Sequence, residues 1–190
     1  MAKTILVVMA SPRKNSNSSI LARQVGAGAE ASGASTECVS LHNLDIRPCT
    51  GCDACRSGPR CIIDDDMQSL YPKIRACDAL VLASPVYWFT VAAQMKTFMD
   101  RWYAFGGDQA YAALAGKRIG IVLTYGDADP IMSGAVNALR TFQDSFRYVG
   151  AKIVGMAYGS ANEPGEIRRN HALMEKATQL GKTLASGEPA

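Results

Sequence analysis

Residues 5–19 read Ile-Leu-Val-Val-Met-Ala-Ser-Pro-Arg-Lys-Asn-Ser-Asn-Ser-Ser. An unbroken apolar run, Ile5–Ala10, passes into a polar loop, and from Ile20 the apolar residues take helical spacing. A continuous run, rather than an alternating one, is how a strand buried on both faces of a parallel sheet reads. Strand, polar loop and helix in that order predict the first unit of an alternating α/β sheet.

The same grammar recurs outward from this stretch. Ala79–Ala83, Ile119–Leu123 and Ile153–Tyr158 are further Val/Ile/Leu-rich runs, and Ser35–Ser40 alternates like a weaker strand at an edge. Between them lie five helical stripes. Ile20, Leu21 and Val25 open the first, which Gly33 closes as a C-cap. Met67, Leu70 and Ile74 follow the acidic Asp64-Asp65-Asp66, which suits a helix N-terminus by capping and dipole. Met95, Phe98, Met99 and Trp102 form the third stripe. Val136, Leu139, Phe142, Phe146 and Val149, closed by Gly150, form the fourth. Ile167, Met174, Ala177, Leu180 and Leu184 form the fifth, and Ser186–Ala190 is expected to fray. Fivefold strand–helix alternation predicts a doubly wound parallel α/β sheet in one domain, residues 1–185, with helices on both faces.

Composition narrows the function. The 190 residues are 48% apolar, as in an ordinary globular protein, and 20 Lys and Arg against 17 Asp and Glu leave a net charge of only +3. The basic residues are scattered, which argues against a nucleic-acid-binding face. No apolar run approaches the roughly 18–20 residues that span a bilayer, and Ile5–Ala10 is too short for a signal peptide. These features predict a cytoplasmic protein that binds neither membrane nor nucleic acid, in a compartment where thiols stay reduced.

In a doubly wound sheet, ligands bind at the carboxyl ends of the strands. The first such loop, Ser11–Ser19, offers hydroxyls, amides and the free N–H groups of a helix N-terminus, and Arg13 and Lys14 add positive charge. This predicts a phosphate cradle. It is neither a Walker A loop, lacking Gly-Lys-Ser/Thr, nor a dinucleotide fingerprint, lacking glycine altogether; the alternative is a plain serine-rich helix cap. The third loop, Ser84-Pro85-Val86-Tyr87-Trp88-Phe89-Thr90, carries three consecutive aromatics. Such a surface needs a cover. A flat, partly apolar ring would supply one, and so would a second subunit or the third helix. Thr124-Tyr125-Gly126-Asp127 could close the opposite side of the ring.

Four of the six cysteines fall in a single stretch, Cys49-x2-Cys52-x2-Cys55-x5-Cys61, within a cysteine-rich loop at 45–63. Gly51, Gly58 and Pro59 suit its tight turns. Triple C-x2-C spacing lets three thiolates wrap one iron–sulfur cluster, with Cys61 as the fourth ligand. Zinc is the main competitor, although zinc sites more often pair two separated knuckles. A redox dithiol or four free thiols are the other readings. Cys38 and Cys77 are expected to be buried packing residues, and His42 and His171 to be structural.

Together, Ser11–Ser18, the cysteine run followed by Asp64-Asp65-Asp66-Met67, Ser84–Trp88 and Ala93–Arg101 make the chain resemble the iron–sulfur flavoprotein branch of the NADPH-dependent FMN reductase family, in the flavodoxin-like superfamily. The resemblance spans the first strand through the fifth. It implies a flavodoxin-like five-stranded sheet of order 2-1-3-4-5. It also implies an FMN phosphate held by Ser11, Arg13, Ser16, Asn17 and Ser18. The ring would lie on Pro85, Val86, Tyr87, Trp88 and Phe89, with Thr124, Tyr125, Gly126 and Asp127. A [4Fe-4S] cluster would sit on Cys49, Cys52, Cys55 and Cys61. Further implications are a homodimer or homotetramer, NAD(P)H or a ferredoxin as electron donor, and packing and salt-bridge roles for Lys96, Asp100 and Arg101. Because the cofactors carry such chemistry, no side chain is named as catalytic. Two other readings stand beside this flavin-dependent oxidoreductase: a non-enzymatic electron carrier, and a cluster-free reductase whose cysteines hold zinc or nothing.

Overall fold

A computed structural model describes residues 2–58, 60–106 and 111–186. Its sheet is built from β1 (Thr4–Met9), β2 (Ser35–Ser40), β3 (Ala79–Tyr87), β4 (Thr90–Val91), β5 (Arg118–Tyr125) and β6 (Lys152–Ser160). The parallel order is β2-β1-β3-β5-β6, and β4 pairs only with the end of β3. Apart from β4, which the sequence did not announce, this is the expected 2-1-3-4-5 arrangement. The helices are α1 (Asn17–Glu30), α2 (Ala54–Ser57), α3 (Met67–Ala76), α4 (Ala93–Asp100), α5 (Ala135–Tyr148) and α6 (His171–Ser186). No helix among the described residues is long and apolar enough to cross a membrane.

The unbroken apolar runs are explained by two cores, one on each face. Along β1, Ile5, Val7 and Met9 pack with α1 and α6, whereas Leu6, Val8 and Ala10 pack with α3, α4 and α5. Successive strand residues point to opposite faces, so a sheet covered on both sides needs every residue apolar. On the first face α1 and α6 meet backbone to backbone. A Cβ added at Gly28 would collide with the Thr178 carbonyl, and one at Gly181 with that of Val25. Gly28 and Gly181 thus have a packing reason.

The helix ends follow the sequence closely. Ala34 N–H donates to Ala29 O, and Ala151 N–H to Phe146 O, the Schellman closures expected at Gly33 and Gly150. Four expectations need correction. Cys38 is exposed while Cys77 is buried, because β2 is the edge strand and its outer rim is uncovered. Val136 is exposed on α5, whose inward face is Ala135, Ala138, Phe142 and Phe146. Trp102 and Ile167 lie in short 3-10 turns beyond α4 and before α6. Ser186 ends α6 rather than fraying, and residues 187–190 and Pro59 lie outside the described residues.

Candidate functional site

The loop after β1 is wired from within. Ser16 caps α1, its Oγ accepting from Ser19 N–H at 3.5 Å and lying 3.0 Å from Ser18 Oγ. Helix α1 therefore begins at Asn17, and its first N–H groups open toward the carboxyl ends of the strands, a site suited to an anion. Asn17 is a clamp: its Nδ2 donates to Glu163 O at 2.9 Å and Ala161 O at 3.3 Å, and its Oδ1 accepts from Ile167 N–H at 3.2 Å. The Asn17 side chain is thus engaged with the loop after β6. Arg13 stacks its guanidinium 5.9 Å from the Tyr87 ring centre, a cation–π contact that aims it across the strand ends.

A cavity of about 210 Å³ lies between this loop and the ends of β3, β5 and β6. It brings together Ser11, Arg13, Ser16 and Asn17 with Pro85, Val86 and Tyr87, and with Thr124, Tyr125 and Gly126. A second cavity of about 340 Å³ shares Ser11, Arg13 and Ser16 and runs toward Lys14, Arg23 and His42. Cationic and hydroxyl groups at one end of a slot and an apolar-aromatic strip at the other fit the phosphate and the ring of FMN. Sequence reading missed Ala161, Asn162 and Pro164, which complete the wall. Asn162 Nδ2 donates to Gly126 O at 2.8 Å and so ties the fifth loop to the fourth. The signal for it was only positional, a loop at a strand's carboxyl end.

Four of the expected residues do not line the slot. Ser18 is wholly buried against Ser16. Asp127 is exposed, its carboxylate accepting from Asp129 N–H. Trp88 and Phe89 form the tip of the β3–β4 hairpin, with Tyr87 paired to Thr90. Both hold left-handed backbone, φ 47° and 68°, a conformation bulky residues rarely adopt. Gly134 presses on the Phe89 backbone so closely that no Cβ would fit there, and Asn137 Nδ2 donates to Phe89 O at 3.3 Å. The tip is buttressed, yet Trp88 is 92% exposed. The expected open loop after β3 is therefore a strand extension and a tight turn. Pro85 is tolerated because Ala83 O faces β1, accepting from Ala10 N–H. By two-residue alternation the Pro85 nitrogen faces the same side, beyond the end of β1.

The cysteine loop is held at its ends. Asp66 Oδ2 accepts from Asp45 N–H at 2.7 Å and Asp65 Oδ2 from Arg47 N–H at 2.9 Å. Gln68 Nε2 donates to Cys61 O at 3.0 Å and Ile63 O at 2.6 Å. The acidic triplet thus does more than start α3: Asp65 Oδ1 meets Met67 N–H at 3.1 Å, but Asp66, at the cap position, makes no cap bond. Midway, Asp53 Oδ1 accepts from Tyr103 OH at 2.9 Å. Among the expected packing residues, Lys96 pairs with Asp100 on the exposed side of α4, and Arg101 with Asp65 in the interior.

All four thiols of the loop are free, Cys49 and Cys52 exposed, Cys55 and Cys61 half-buried. Hydrogen bonds from Ala54 N–H and the Thr50 hydroxyl hold the Cys52 thiol below its ordinary range. Burial pushes the Cys55 thiol up, reinforced by the neighbouring Cys61, Cys49 and Cys52, so the four sense one another's charge. Among the described residues no three His, Cys, Asp or Glu side chains gather as a single metal ion requires. Four thiols on one loop offer a donor set that either a zinc ion or an iron–sulfur cluster could use.

Comparison with known proteins agrees with these features. Residues 4–166 match the family described as NADPH-dependent FMN reductase. An iron–sulfur flavoprotein of Archaeoglobus fulgidus is 33% identical over 178 residues, 94% of this chain and 77% of that protein. Two solved structures share the fold. One is the NAD(P)H:quinone oxidoreductase of Methanothermobacter marburgensis, with TM-score 0.72, 16% identity, and 97% and 98% of the two chains covered. The other is RosB with bound 8-demethyl-8-formylriboflavin-5'-phosphate, with TM-score 0.73, 20% identity, and 97% and 77% covered.

Proposed function

The chain belongs to the NADPH-dependent FMN reductase family, on the branch of its iron–sulfur flavoproteins, and from that premise we propose that it carries FMN in the slot between α1 and β3 and a [4Fe-4S] cluster on Cys49, Cys52, Cys55 and Cys61. It is an FMN-dependent oxidoreductase. The observation that carries the detailed reading is the convergence of the α1 N-terminus and Arg13 with Pro85–Tyr87 and Tyr125–Gly126 in one cavity.

When bound, FMN accepts a hydride as two electrons and an iron–sulfur cluster exchanges electrons singly, so the pair would join two-electron to one-electron donors. The chain's own groups bind and orient. The N–H groups of α1, the Ser11 and Ser16 hydroxyls and Arg13 receive the phosphate. Tyr87, stacked under Arg13, and Pro85 and Val86 give the ring an apolar bed. Thr124, Tyr125 and Gly126, braced by Asn162, form the facing wall. NAD(P)H or a ferredoxin supplies electrons, and a flavin, a quinone or oxygen receives them, in the cytoplasm. Exposed Trp88, Phe89, Ile131 and Met132 support pairing of chains into a homodimer or homotetramer, because isolated proteins seldom expose such apolar groups together.

The test is an absorbance spectrum of anaerobically purified protein with flavin, iron, acid-labile sulfide and zinc analysis. One FMN with four iron and four sulfide per chain is expected. Zinc without sulfide would overturn the cluster assignment, and a flavin-free protein the whole reading. Steady-state NAD(P)H oxidation with added quinone separates a reductase from a carrier.

A further inference from the structure

Arg101 opens the 3-10 turn after α4 and is the largest fully buried side chain of the described residues, 1% exposed. A buried guanidinium requires several partners, and this one has three kinds. Its Nη1 donates to Asp65 Oδ2 at 2.5 Å and to Arg47 O at 2.9 Å; its Nη2 donates to Asp65 Oδ1 at 3.2 Å and to Cys61 Sγ at 3.5 Å. The Asp65 side chain is fully buried beside it. Tyr71 OH, also buried, donates to Arg101 O at 3.1 Å. The fork therefore joins the start of the cysteine loop (Arg47), its end (Cys61) and the Asp65 carboxylate, which itself accepts from Arg47 N–H. A lysine ammonium has no planar fork with which to engage both carboxylate oxygens and still reach the sulfur.

We propose that Arg101 is the positioning residue of the cysteine loop, fixing Cys61 as a ligand and raising the reduction potential of the cluster through an N–H···S hydrogen bond. The inference rests on the cluster assignment above. Hydrogen bonds to the sulfurs and local charge set such potentials. A reduced cluster carries more negative charge on its sulfurs, so a donor aimed at Cys61 Sγ favours the reduced state. Asp65 offsets part of the guanidinium charge and thus restrains the same effect. The two partners of one ion pair act on the potential with opposite signs, which a purely architectural pair does not do.

The experiment compares wild type, Arg101→Gln, Arg101→Lys and Asp65→Asn, purified anaerobically, by redox titration of the cluster monitored by electron paramagnetic resonance. FMN content reports folding, since the slot is separate. Hydrogen exchange of residues 45–66 in metal-free protein reports loop order without any cluster. Expected are a lower potential for Arg101→Gln, an intermediate one for Arg101→Lys and a higher one for Asp65→Asn, with faster exchange in both Arg101 variants. Should Gln or Asn cost the fold, the Lys variant decides: a potential equal to wild type overturns the proposal. A shift of Arg101→Gln and Asp65→Asn in the same direction also overturns it, leaving the cluster assignment intact. A wild type without iron and sulfide overturns both.

Discussion

The two candidate cofactor regions differ in how their shape is kept. The β1–α1 loop is made rigid by its own side chains: Ser11, Ser16, Asn17, Ser18 and Ser19 are all buried although polar, each facing a neighbour or the helix start. The cysteine loop is held mainly at its margins, by Asp65, Asp66, Gln68 and Arg101, with one tie midway from Tyr103 to Asp53. None of its thiols is in a disulfide, and Cys49 and Cys52 are exposed. A phosphate is bound by many weak donors, which must be aligned beforehand to bind well. Thiolate–iron bonds are strong enough to gather their own ligands. Prior order is therefore built where the ligand is weakly held, and left out where the ligand can impose it.

The largest way to break this contrast is to cut a margin of the cysteine loop. Asp65→Ala leaves a buried guanidinium uncompensated and should cost about 3–5 kcal/mol, read as a lower urea midpoint in metal-free protein. Asn17→Ala should cost roughly 1–3 kcal/mol, because it strands the buried Ile167 N–H and removes the bond to the Glu163 carbonyl. It should also weaken FMN binding, measured by fluorescence titration, while iron content holds. If the Asn17 variant bound FMN normally, the wired-loop argument would fall.

A pH series sharpens the same point. Burial works to raise the Asp65 carboxyl, but hydrogen bonds from Arg101 and from the Arg47 and Met67 N–H groups outweigh it and hold the group below the usual range. Its contribution is complete above about pH 5 and erodes as pH falls through the ordinary carboxylate value near ~3.9 toward the depressed one. The urea midpoint of wild type should drop over that window more steeply than that of Asp65→Asn.

Cys52→Ser should abolish iron and sulfide binding yet leave FMN in place. It should change metal-free stability by no more than about 0.5 kcal/mol, since the site is exposed. Loss of both cofactors together would defeat the separation of the two regions. The smallest effect lies within the loop. In metal-free protein, Cys52 should alkylate at lower pH than Cys55, because its thiol is held down by hydrogen bonds and that of Cys55 is pushed up by burial. Equal pH profiles, read by mass spectrometry, would remove the distinction.

Which features were legible in the sequence follows from range. Apolar runs and glycine closures are local signals, so the parallel strands, the helices and the slot's outline at Ser11, Pro85 and Gly126 could be read directly. Pro85 read as part of a loop, because its tolerance within a strand depends on β1 ending beside it, a relation between distant residues. The Trp88–Phe89 turn carries no turn chemistry of its own and is held by Gly134 and Asn137 from outside. Arg101 read as a packing and salt-bridge residue, but its partner Asp65 lies 36 residues earlier, and no local pattern names it. Asn17 read as a phosphate ligand, but nothing local announced that its side chain also clamps groups 144 to 150 residues away.

That last separation has a consequence for how the protein is made. The β1–α1 loop leaves the ribosome well before the residues that lock Asn17, which lie 144 to 150 positions later. Contacts of such long sequence separation form late, after much chain entropy has been surrendered. Helix α1 must also wait for α6 before its glycine face is covered. A nascent chain short of residue 160 would own every group proposed to touch the phosphate and still lack a finished cradle. Flavin capture at this cradle would therefore have to follow the synthesis of the loop after β6.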